Sequence, residues 1–67
     1  MSTFFTIEPV ADIGRLTVYR RGDWARREGL ARYVVMREED GIRRQVREFR
    51  YKRAAVTWAR ADEGIKS

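Results

Sequence analysis

The chain has 67 residues, fifteen basic against ten acidic side chains for a formal net charge of +5, and neither cysteine nor histidine. That length holds a single domain, residues 1–67, with a small core, since so short a chain buries only roughly 60% of the surface its unfolded form exposes. Disulfides, thiolate nucleophiles, Cys-based zinc sites, the usual general base and the commonest metal ligand are excluded. With Ser2 and Ser67 at the two ends, catalysis is left with carboxylates, arginines and two lysines, which reads as a non-enzymatic protein without metal or cofactor.

In chain order, the segment from Thr3 to Val10 is rich in β-branched and aromatic residues (Phe4, Phe5, Thr6, Ile7). It predicts a strand that Pro9, the only proline, confines to an edge or terminates. Gly14 breaks the chain. Leu16 to Tyr19 follows as a short alternating strand, with Leu16 and Val18 on one side and Thr17 and Tyr19 on the other. Gly22 to Gly29 fits either one helical turn, with Asp23 as N-cap and Gly29 just past its end, or a wide loop between strands. The loop, with at most a turn of helix inside it, is preferred. Leu30 to Glu38 predicts a strand centred on Tyr33 to Met36. Asp40-Gly41 is a strong hairpin signal, because glycine accepts the positive φ that tight hairpin turns demand, and Ile42 to Phe49 is the returning strand.

Register decides which residues share a face. A three-residue loop (Glu39, Asp40, Gly41) pairs Val34 with Val46 and Arg32 with Glu48. It gathers Leu30, Val34, Met36, Ile42 and Val46 on a core face, and Tyr33, Val35, Arg37, Arg43, Gln45 and Arg47 on the opposite one. A two-residue loop sets Arg37 opposite Arg44 and scatters the apolar residues, so the first register is preferred. From Tyr51 the period lengthens. Tyr51, Ala54, Ala55, Trp58 and Ala59 form one stripe of an amphipathic helix that Gly64 ends, with Lys52, Arg53, Thr57 and Arg60 on much of the remaining surface. The prediction is an α+β domain of βββα order. Its antiparallel sheet has three strands, four if the N-terminal segment joins it, and one C-terminal helix packs on one face.

The stretch from Asp40 to Ala59, DGIRRQVREFRYKRAAVTWA, resembles the hairpin and helix of the AP2-like arm-type DNA-binding domains of tyrosine-family phage integrases. Phe49, Lys52, Ala55 and Trp58 match that family's run. Tyr51 stands where the family usually carries a Thr or Ser cap, a departure that weakens the helix start by about 1 kcal/mol unless something replaces the cap. The resemblance implies a sheet placed in the major groove, in a protein of a phage or other mobile element, with strand residues touching phosphates and base edges. The residues point to a similar surface independently. Tyr33, Arg37, Arg43, Gln45 and Arg47 interleave positive charge, an aromatic ring and an amide. Arg to guanine and Gln to adenine are the side-chain pairs that the major groove rewards. The expected partner is therefore double-stranded DNA. Arg37, Arg43 and Arg47 neutralise phosphates, Gln45 and Tyr33 contact bases, and Lys52 and Arg53 add backbone contacts. The same face is also what a half-exposed sheet needs simply to be solvated.

The layout is similar as well to small phage anti-CRISPR proteins, which implies an alternative partner, a host defence protein complex. On that reading the docking patch is Tyr19, Arg20, Arg21, Trp24, Arg26 and Arg27, since Trp with Arg is the composition of interface hot spots. A Trp24 folded back onto a small core is the plainer expectation. Thirteen of the fifteen basic residues are arginine, whose guanidinium fork suits phosphate and carboxylate, although a GC-rich genome gives the same ratio without selection on chemistry. No apolar run approaches the ~20 residues of a membrane span, and no signal-peptide pattern is present, so a cytoplasmic protein is expected. The Phe4-Phe5 edge offers a contact for a homodimer.

Overall fold

Four strands and two helices follow one another as β1 (Ile7–Ile13), β2 (Leu16–Arg21), α1 (Asp23–Arg27), β3 (Tyr33–Glu39), β4 (Ile42–Phe49) and α2 (Lys52–Asp62). They are seen in a computed structural model that describes residues 6–64. The strands form one antiparallel sheet in the order β1-β2-β3-β4. The fold is thus α+β, with the N-terminal segment as the fourth strand and α2 packed on the sheet. The Phe4-Phe5 edge lies outside the described residues.

Pro9 sits within β1, which is an edge strand, where a missing N–H is tolerated. It does not terminate the strand. The register instead shifts between Pro9 and Ala11, leaving Val10 as the extra residue of a bulge. The β1–β2 hairpin closes on Ile13 and Leu16 around Gly14 and Arg15, with Gly14 at φ +60°. A side chain at Gly14 would occupy the space of the Glu63 carboxylate. That carboxylate accepts the Arg15 backbone N–H at 3.0 Å, so the end of α2 is fastened to the first hairpin.

The β3–β4 hairpin corrects the predicted register. Asp40 and Gly41 both have positive φ, 53° and 79°, and Glu39 pairs directly with Ile42. This is the two-residue, type I′ arrangement, which needs positive φ at both central positions. Aspartate enters the left-handed region more readily than most residues, so the loop needs no third member. A bulge between Gln45 and Arg47 then changes the parity of β4: Arg37 faces Arg44, Val34 faces Glu48 and Val35 faces Arg47. Of the predicted core face, only Val34 is buried. Leu30, Ile42 and Val46 are exposed, and Met36 is half-buried.

The core lies instead under α2. Ala55 and Ala59 are fully buried against Ile13, Leu16, Val18 and Val35. Alanine at these positions lets the helix approach the strands closely, and Phe49 and Trp58 close the side of the contact with ring centroids 6.0 Å apart. Tyr51, predicted on the buried stripe, is the N-cap of α2 in extended conformation and stands in solvent. The other face of the sheet is also partly covered. Segment 22–29 holds a true short helix, α1, preceded by Gly22 rather than Asp23 as N-cap. Its Ala25 is buried, as are Tyr19, Val34 and Arg21.

Candidate nucleic-acid interface

The corrected register distributes the predicted DNA-binding residues over two faces. Arg43 and Gln45 lie on the α1 side of the sheet. The Arg43 guanidinium stands 5.9 Å from the centre of the Tyr19 ring. The Gln45 side-chain oxygen accepts a hydrogen bond from Arg21 at 3.2 Å. Tyr33, Arg37 and Arg47 lie on the α2 side. Tyr33 is half-buried against the core. Arg37 is ion-paired with Asp62 at 2.6 Å, and its buried Nε has no hydrogen-bond partner. Arg47 lies over both Phe49 and Trp58, 5.8 and 5.7 Å from the ring centres. Lys52 and Arg53 are exposed in the first turn of α2. A single flat reading face built from all seven residues does not exist. What connects Arg43 and Arg47 is β4 itself, the second edge of the sheet.

The alternative docking patch is only partly at the surface, with Arg20, Arg26 and Arg27 exposed. Tyr19 and Arg21 are 7% and 8% exposed. Arg21 donates to the Ala31 carbonyl at 3.0 Å and pairs with Glu48 at 2.7 Å. Trp24 is folded back: its Nε1–H donates to the Thr6 carbonyl at 2.7 Å and the Arg21 guanidinium covers its ring. Arg20 is engaged by Glu8. Of this set, Arg26 and Arg27 at the end of α1 are exposed and have no ion pair among the described residues.

Which cations remain available is settled by where the carboxylates go. Glu8, Asp23, Glu48 and Asp62 meet Arg20, Arg32, Arg21 and Arg37 respectively. From Ile42 to Ala61 the chain carries seven cations and one acid, Glu48, and that acid reaches over β3 to Arg21. Arg43, Arg44, Arg47, Arg50, Lys52 and Arg53 are therefore left without a carboxylate within 4.0 Å among the described residues. They form a basic ridge on the β4 edge, exposed over nearly its whole length, with Arg43 on one face and Arg44 and Arg47 on the other, and it runs into the start of α2. Arg44 and Arg50 were absent from the predicted set, although the near-absence of acids from Ile42 to Ala61 is legible in the sequence.

The acids Glu38, Glu39 and Asp40 stay together at the tip of this hairpin, where Glu38 lies across from Arg43 without forming an ion pair within 4.0 Å among the described residues. Among the described residues no cluster of side chains is arranged to hold a metal ion, and no helix is long and apolar enough to cross a membrane. No protein-family model, curated protein or solved structure matches the chain.

Proposed function

We propose that this protein is a small non-enzymatic module that binds double-stranded DNA through its phosphates, along β4 and the first turn of α2. The observation that carries the reading is the un-neutralised run Arg43, Arg44, Arg47, Arg50, Lys52 and Arg53. Eight strand residues at about 3.4 Å each span ~27 Å, a length over which duplex DNA presents about 16 backbone charges. Arginine binds phosphate in bidentate fashion, and side chains leaving both sides of an edge strand can straddle one backbone. Lys52 and Arg53 stand at the positive end of the α2 dipole, with no acid in that turn to offset them. Both features raise the local potential for an anion.

The geometry favours positioning on phosphates over reading of bases. Gln45 has its oxygen engaged by Arg21, and Tyr33 packs on the core. The sheet face that carries Gln45 also carries Asp12 and Glu38, which disfavour a phosphate backbone across its middle and leave Arg43, at the β4 edge, as its contact. The edge of the sheet, not its face, meets the duplex.

The test is duplex affinity against salt concentration. A log–log slope of about −0.9 per phosphate contacted is expected, and Arg43→Ala, Arg44→Ala and Arg47→Ala should each flatten it by about one. Arg32→Ala, which removes a residue already paired with Asp23, should leave the slope alone. If the protein retains no duplex at low salt yet captures one host protein complex, the DNA reading is overturned in favour of an inhibitor that docks on protein.

A further inference from the structure

Tyr51 is 68% exposed, more than any other large apolar side chain among the described residues. It occupies the N-cap of α2 at φ −122° and ψ 143°, and its side chain makes no capping hydrogen bond. Ser, Thr, Asp or Asn at that position accepts a backbone N–H of the first turn; a phenol pointing into solvent does not. The stability of the helix therefore gives no reason for the ring.

The surroundings supply one. Tyr51 borders two concavities. One, of about 670 Å³, is lined by Leu30 and Ala31 with Arg26 and Arg50 beside them. The other, of about 710 Å³, is lined by Ala54, Thr57 and Arg53. An exposed aromatic ring thus stands between two partly apolar hollows. Arg26, Arg50 and Arg53 surround it, none with a carboxylate within 4.0 Å among the described residues.

A flat heterocycle on a phosphodiester chain meets all of these features at once: its face stacks on the ring and the flanking phosphates reach the guanidinium groups. An acidic peptide satisfies the arginines but leaves the ring unused. A base inside a duplex hides both of its faces in the stack, so the occupant must be unpaired. We infer that Tyr51, with Arg26, Arg50 and Arg53, is a stacking site for an unpaired nucleobase at the end of the phosphate-binding ridge. This deepens the nucleic-acid reading of that ridge and rests on it only for the polyanion. It suits a duplex with a single-stranded overhang or gap.

Binding of the full chain to a labelled oligothymidylate and to a blunt duplex, at low salt, tests the site. Tyr51→Ala should weaken oligothymidylate binding by roughly 5- to 100-fold and change duplex binding by no more than about twofold. Tyr51→Phe should retain the affinity for both. Equal losses on the two ligands with Tyr51→Ala, or no loss on either, overturn the stacking site. So does polyglutamate that displaces the oligonucleotide in a manner equally dependent on Tyr51, which identifies an acidic protein surface instead. Oligothymidylate binding that depends on Tyr51 without any duplex binding overturns the duplex reading and leaves this site standing. Duplex binding without a Tyr51 effect does the reverse, and binding of neither ligand overturns both.

Discussion

On β2 and β3 each arginine is met by a carboxylate: Arg20 by Glu8, Arg21 by Glu48, Arg37 by Asp62, with Arg32 just before β3 met by Asp23. On β4 and the start of α2 the cations are about twice as dense in sequence, and none has a carboxylate within 4.0 Å among the described residues. The one acid of that stretch, Glu48, turns inward to the other population. The formal charge of +5 is thus an average over a neutralised half and an un-neutralised half. An arginine-rich surface is not by itself an interface. What marks β4 is that, among the described residues, no carboxylate closes an ion pair with its cations, although Glu38 lies across from Arg43.

The strongest way to break this contrast is at Arg21. Its guanidinium is nearly buried, bonded to Ala31, Gln45 and Glu48, and stacked on Trp24, so it ties β2, β4 and the loop before β3 together. Arg21→Ala should cost about 2–4 kcal/mol, because the change removes its bonds to the Ala31 carbonyl and Gln45, its packing on Trp24 and its pair with the one-third-exposed Glu48 together. In a domain of this size each kcal/mol is worth about 4–8 °C, so thermal unfolding should fall by more than about 10 °C. Arg20→Ala, one residue away in an exposed pair, should cost no more than about 1 kcal/mol. Equal effects at the two positions would remove the distinction between structural and free arginines.

The next largest effect is on binding. The triple substitution Arg43→Ala, Arg44→Ala, Arg47→Ala should lower the salt slope of duplex affinity by about three and leave the melting temperature within a few degrees. The double substitution Arg20→Ala, Arg32→Ala removes a similar charge from the neutralised half and should barely move the slope. A slope that follows only the number of arginines removed, whichever region supplies them, would show that the molecule acts as a diffuse charge.

A smaller effect separates the two members of one ion pair. Arg37 and Asp62 are each about one-third exposed and join β3 to the last turn of α2. Asp62→Ala leaves the guanidinium, whose Nε is buried without a partner among the described residues, with only the longer 4.0 Å pair to Glu63, and should cost about 1 kcal/mol. Arg37→Met keeps the stem, removes the buried polar group and should be close to neutral. Chemical denaturation of the two variants checks the asymmetry.

The sequence carried the elements better than their pairing. Ile42 to Phe49 is a strand between the limits that Asp40-Gly41 and the change of period at Tyr51 set for it. The anchoring of α2 was legible in part: Ala55, Ala59 and Trp58 of the predicted stripe pack on the sheet, whereas Tyr51 and Ala54 are exposed. The register was not. A bulge at Val46 leaves no mark in the hydrophobic pattern, and the two-residue turn followed by that bulge puts Arg43 and Gln45 on the face opposite Tyr33, Arg37 and Arg47. The site was legible only in part for the same reason. That Arg43, Arg47, Lys52 and Arg53 are basic and exposed could be read, but not that Glu48 is committed to Arg21 across 27 positions. Long-range ion pairing is set by the fold, and local sequence does not encode it.

The smallest expected effect sharpens the contrast from the stability side. If β4 and the start of α2 are shaped by binding, their residues need not be those that stabilise the fold best, and Tyr51 is where the two demands separate. Tyr51→Ser supplies the missing N-cap acceptor and removes an exposed ring. It should therefore raise stability by about 0.5–1 kcal/mol, a few degrees in thermal unfolding. It should also lose the affinity for unpaired bases that Tyr51→Phe retains. Opposite signs in the two measurements place the residue in the functional surface. A serine variant that melts lower than the native chain would show that the ring packs against Leu30 and Ala31 for the sake of the fold, and the un-neutralised ridge would then end at Arg50.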